Sequence, residues 1–107
     1  MIKITPSNIE TEFRFLVNKS LQYYNNLGYD IRNILLPSNI ILKELNNILV
    51  MQGAEAGCFT KDNKYYIAML PMASYRVYKT DPNRFYHNPI HEVTHAVVQL
   101  NNLEDLD

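Results

Sequence analysis

A chain of 107 residues that is 47% hydrophobic and 20% charged is large enough for one domain with one core, and its composition is not that of a disordered segment. Ten basic against eleven acidic side chains leave a net charge of -1, which sets up no long-range field for nucleic acid or an anionic membrane. No apolar run approaches the roughly 20 residues that span a bilayer, so neither nucleic acid nor membrane is expected as a partner.

Ser7 with Glu10 three residues on forms a capping-box pattern, and Ile9, Phe13, Leu16, Val17, Leu21, Tyr24 and Leu27 follow at helical spacing until Gly28. This predicts a long first helix. Tyr29 to Leu36 alternates and then turns apolar before Pro37, as a strand entering a core does. Ser38 caps a second helix carrying Ile40, Ile41, Leu45, Ile48 and Leu49, whose β-branched first half is also compatible with a strand. Ala54 to Thr60 and Tyr65 to Leu70, joined by a polar tip, read as a hairpin. Residues 71 to 87 hold Pro71 and Pro82 and show no clean period, so a long connection with at most one helical turn is expected there. Asn88 as N-cap and Pro89 at the first helical position then open the last helix just before His91.

That helix contains His91-Glu92-Val93-Thr94-His95, the arrangement H-E-x-x-H. Residues four apart lie one turn up on nearly one face, so both imidazoles can reach one metal ion. Glu92, about 100° around the helix, stands where it can take a proton from a zinc-activated water as general base. By composition alone the pattern arises in roughly one such chain in two hundred. Ile90, Val93, Val97 and Leu100 fall on the side away from the histidines, which leaves the imidazoles facing a cleft.

The pattern resembles that of zincin-type metallopeptidases. The resemblance is closest over residues 54 to 100, where "AEAGCFTKDNKYYIAML" precedes "NPIHEVTHAVVQL". It implies an α+β fold, with a long N-terminal helix and a small mixed sheet packed against a C-terminal active-site helix. It also implies Zn2+ as cofactor, His91 and His95 as metal ligands, Glu92 as catalytic base, and a peptide or protein as substrate. The function expected is that of a zinc-dependent metallopeptidase or amidohydrolase.

A third ligand is not obvious. The metzincin extension would need Gly at 98 and His at 101, where Val98 and Asn101 stand. Glu104, the gluzincin-type candidate, lies about 13 Å along an uninterrupted helix from His95 and on its opposite side, so it can serve only if the chain reverses at Asn101-Asn102. Cys58 in "EAGCFT" resembles the cysteine ligand of peptide deformylases, although a small apolar thiol in a strand is its ordinary reading. His87 completes a 4, 4 spacing with His91 and His95, but a helix opening at Pro89 would leave it in the preceding loop. Tyr75, Tyr78 and Tyr86 fall in that loop too, and none is singled out as an oxyanion donor.

Two alternatives stand beside the peptidase: a deformylase-like hydrolase using Cys58, and a catalytically inactive zincin-fold protein that binds a host partner. A partner protein could also complete a shallow cleft. The single cysteine cannot form an internal disulfide and no secretory signal pattern opens the chain, so a cytoplasmic setting is expected. Heavy asparagine usage suggests a bacterial, plasmid or phage source. The domain is expected to span residues 1 to 107, either whole or as the N-terminal part of a longer one.

Overall fold

The computed structural model describes residues 3–103. Helix α1 (Ile9–Asn26) buries Ile9, Phe13 and Val17, each four residues from the last, as one stripe on the core side. Asn8, not Ser7, stands at its N-cap, and its side chain serves the chain before the helix: Oδ1 accepts from the Thr5 N–H at 2.7 Å and Nδ2 donates to the Lys3 carbonyl at 2.9 Å. Glu10 does not close a capping box, but pairs one turn on with Arg14 at 3.2 Å. Gly28, at φ +93°, ends the run.

Only Ile34–Leu35 of the expected strand over residues 29 to 36 is a strand, β1. Asp30 breaks the extended run: its carboxylate accepts from the Arg32 N–H at 3.0 Å, turning the chain two residues on, and pairs with the Arg32 guanidinium. Helix α2 (Asn39–Gln52) is helical from its first residue. The β-branched Ile40 that made a strand conceivable is 88% exposed, so no sheet face claims it. Gly53, left-handed at φ +66°, closes the helix.

The hairpin forms as expected. Strands β2 (Ala56–Lys61) and β3 (Lys64–Met69) pair antiparallel with Cys58 opposite Ile67, and Asp62 and Asn63 turn the chain at φ +53° and +63°. β1 adds to β3 in parallel, giving the order β1-β3-β2.

The largest correction lies over residues 71 to 87. Helix α3 (Pro71–Thr80) and helix α4 (Pro82–Leu100) fill this stretch almost completely. Pro71 and Pro82 each stand in a first helical turn, where a missing N–H is no loss. The Asp81 carboxylate caps α4 by accepting from the Arg84 N–H at 3.4 Å. Asn88 is therefore no cap, and Pro89 lies inside the helix with its ring buried in the core.

The alternation of β2 and β3 divides the core in two. Ala56, Cys58, Tyr65, Ile67 and Met69 face the layer containing Phe13, Phe85, Val93 and Val97, whereas Phe59, Tyr66 and Ala68 face Leu45 and Leu49 of α2. The chain is thus an α+β fold of four helices and a three-stranded mixed sheet among the described residues. On the α1 side the long helices run in the same direction: Tyr86 senses the charge of Glu12, Tyr24 meets Thr94, and Asp30 meets Asn101. No described helix is long and apolar enough to cross a membrane.

Candidate metal centre

Helix α4 owes its orientation to two parallel rows of side chains. Phe85, Pro89, Val93 and Val97, spaced by four, are buried, while His87, His91 and His95, also spaced by four, lie on the other side. Val93 and Val97 take the core side as expected, but Ile90 does not: it is 46% exposed and lines a groove against α1.

His91 is exposed and His95 half-buried, and their rings converge. The centroids are 4.3 Å apart, the planes are at 87°, and the two Nε2 atoms approach to 2.9 Å, close enough for one ring to donate to the other. Two nitrogens sharing a tetrahedral zinc at the usual bond length stand about 3.3 Å apart. The two distances differ by a few tenths of an ångström, so His91 and His95 are the residues that could take two positions of a divalent cation. His87 belongs to the same helix face, contrary to the loop expected for it, with its ring centroid 5.2 Å from that of His91.

Glu92 points to the other flank of the histidine row, toward β2. It is half-buried, and burial raises its pKa; His91 and His95 oppose the rise, Glu55 adds to it and His87 opposes it slightly. Cys58 of β2 is close enough to feel the same carboxylate. Burial first, and then Glu92, push its thiol up to about 12, so the thiol keeps its proton near neutral pH and packs against the main core.

Glu55 is a neighbour that sequence reasoning did not reach. Its largely covered side chain receives Arg84 of α4, with Nη2 donating to Oε1 at 3.0 Å and Nε 2.9 Å from Oε2 without an aligned hydrogen bond. Its carbonyl accepts from the Leu70 N–H at 2.8 Å and from the Ser74 hydroxyl at 3.3 Å. Glu55 therefore ties α3 and α4 to the start of β2. No motif marks it; its place follows from contacts with α3 and α4, which are far from it in sequence.

On the α1 flank, Thr94 donates to the Ile90 carbonyl at 2.8 Å, so the Tyr24 hydroxyl, 2.7 Å away, donates to Thr94 Oγ1. Tyr75, Tyr78 and Tyr86 lie on α3 and α4, not in a loop, and Tyr78 sits among Tyr75, Phe85 and Tyr86 in an aromatic cluster. At the far end α4 stops at Leu100. Asn102 turns left-handed at φ +55°, its N–H donates to Gln99 and that of Leu103 to Val98. The chain thus leaves the helix where the asparagines predict, and Glu104 lies outside the described residues. Among the described residues no three His, Cys, Asp or Glu side chains come together as a metal-binding group.

No family model, no curated protein and no solved structure matches this chain.

Proposed function

We propose that this protein is a zinc-dependent metallopeptidase or amidohydrolase of zincin-like fold, with His91 and His95 as ligands and Glu92 as general base. The observation that carries the reading is the 2.9 Å approach of two Nε2 atoms on an open helix face beside a half-buried carboxylate. Bound by the two imidazoles, a zinc ion would supply Lewis acidity toward a carbonyl oxygen and ease the loss of a proton from water. Glu92 is the group that receives that proton and returns it to the departing amine nitrogen. Among the described residues β3 is the one strand beside β2, which leaves the outer edge of β2 unpaired there, and an extended peptide can add to it next to Glu92. The third ligand is assigned to Glu104 or to another chain. Cys58, packed against the main core, is assigned to that core and not to deformylase-like chemistry. The setting proposed is the cytoplasm of a bacterial or phage-infected cell.

The test has two arms. Metal analysis should find zinc near one per chain, lost in His91→Ala and kept in Cys58→Ser. Hydrolysis of a peptide library should fall by about 10²–10⁴ in Glu92→Gln while the zinc stays. Absence of zinc from protein purified with added metal refutes the reading.

A second reading, a catalytically inactive zincin-fold protein that binds a partner, draws on a different surface. Val50, Met51 and Met72 are 66, 86 and 58% exposed, and Val50 and Met72 line an open depression of about 340 Å³ with Leu70, Pro71, Ala73 and Arg76. Partner binding that survives Glu92→Gln but fails in Met72→Asp would favour it.

A further inference from the structure

The groove between α1 and α4 is left unused by the chemistry just described. Leu16, Lys19, Ser20, Tyr23, Tyr24 and Ile90 line it, and it encloses about 280 Å³. Ile90 immediately precedes His91, and Tyr24 donates its hydroxyl to Thr94, which immediately precedes His95. The groove therefore runs beside both histidines, on the flank of α4 away from Glu92, since residues 90 and 92 lie about 100° to either side of residue 91.

Its walls combine two features. Ile90 and Tyr23 leave 46% and 60% of their surface open to water, next to the half-buried Leu16 and Tyr24. Apolar surface held open in a concave place gains free energy when a ligand covers it. Lys19 is the one charged side chain in the lining. Its amine rests 5.7 Å from the Phe15 ring centroid, and none of the ion pairs among the described residues involves it. An apolar pocket with an unmatched cation at its rim complements a ligand that is apolar and anionic within one residue's length. In a peptide, a C-terminal residue with a large apolar side chain offers both groups within one residue, as a product or substrate end of a peptidase does.

We infer that the groove holds the C-terminal residue of a peptide, its aromatic or large aliphatic side chain between α1 and α4 and its α-carboxylate at Lys19. The inference rests on the peptidase reading and narrows its substrates to peptides ending in such a residue.

The test is a titration of ¹⁵N-labelled protein, without added metal, followed by amide chemical shifts. The probes are N-acetyl-L-phenylalanine, N-acetyl-L-phenylalaninamide and N-acetylglycine. N-acetyl-L-phenylalanine should move the amides of Lys19, Ser20, Tyr24 and Ile90 and bind about threefold more tightly than the amide, the advantage an exposed ion pair supplies. Lys19→Met should erase that preference but keep binding of the phenyl group, Ser20→Trp should fill the groove and abolish both, and N-acetylglycine should leave the groove unmoved. Equal affinity for acid and amide, shifts that map elsewhere, or no shifts overturn the inference. Zinc loading of the same sample is measured separately, so a protein that takes zinc but not the acid loses the groove and keeps the metal site, and the converse result keeps the groove as a binding site without the peptidase.

Discussion

At Glu92 burial and charge work against each other, and burial prevails. A carboxyl whose folded pKa is raised contributes stability that is complete below its unfolded value and is lost as the pH rises through the folded one. Glu92→Gln, neutral throughout, should therefore melt at a higher temperature than the parent at neutral pH without metal, and the two should converge as the pH falls below the ordinary glutamate range; thermal scans across pH check this. Cys58, held at about 12, should react slowly with iodoacetamide in the native protein near neutral pH and quickly in denaturant. Thr94 receives the Tyr24 hydroxyl from α1. Tyr24→Phe should cost about 0.5–1.5 kcal/mol in chemical denaturation, since one half-buried hydrogen bond between α1 and α4 is lost.

Three prolines explain how much of the element order was legible. Pro71 and Pro82 look like breakers in the sequence and are starters in the structure, whereas Pro89 looks like a starter and is interior. A proline alone does not say which: the missing N–H is harmless in a first turn and costs a hydrogen bond further in, and that cost can be offset when the ring itself is buried in a core. The signal that decides was present in the spacing of Phe85, Pro89, Val93 and Val97, which runs through Pro89 without a break. The period of α3 was obscured because its fully buried position is Ser74, a polar residue satisfied by the Glu55 carbonyl. The hairpin and α1 were readable because turn residues and apolar spacing agree there. The histidine pair was readable because an i, i+4 relation needs no tertiary information; Glu55 was not, because it does. With the helix continuous through Pro89, His87 and His95 are separated by about 12 Å along the axis. His87→Ala should accordingly leave zinc stoichiometry unchanged where His91→Ala removes it, and metal analysis of the two variants checks this.

Across the whole molecule the sheet separates a larger core, shared by α1 and α4, from a smaller one under α2. Phe85 is fully buried in the larger core one turn ahead of Pro89, and Phe85→Ala should cost about 3–5 kcal/mol by urea unfolding, a large share of what a domain of this size has. The same layer fixes the site, because the side chains that bury α4 on one side aim its histidines outward on the other.

The parallel alignment of α1 with α4 has a temporal consequence. Tyr24 and Thr94 are 70 residues apart in the chain, as nearly are Asp30 and Asn101, so the first helix finds its lasting neighbour only after everything between has been laid down. Until then the stripe of Ile9, Phe13 and Val17 is covered in part, by Ile34, Ile67 and Met69 of the sheet, and the two imidazoles have no frame to hold them. Assembly thus couples two helices far apart in the chain: the layer that seals the larger core and the face that carries His91 and His95 form in the same step.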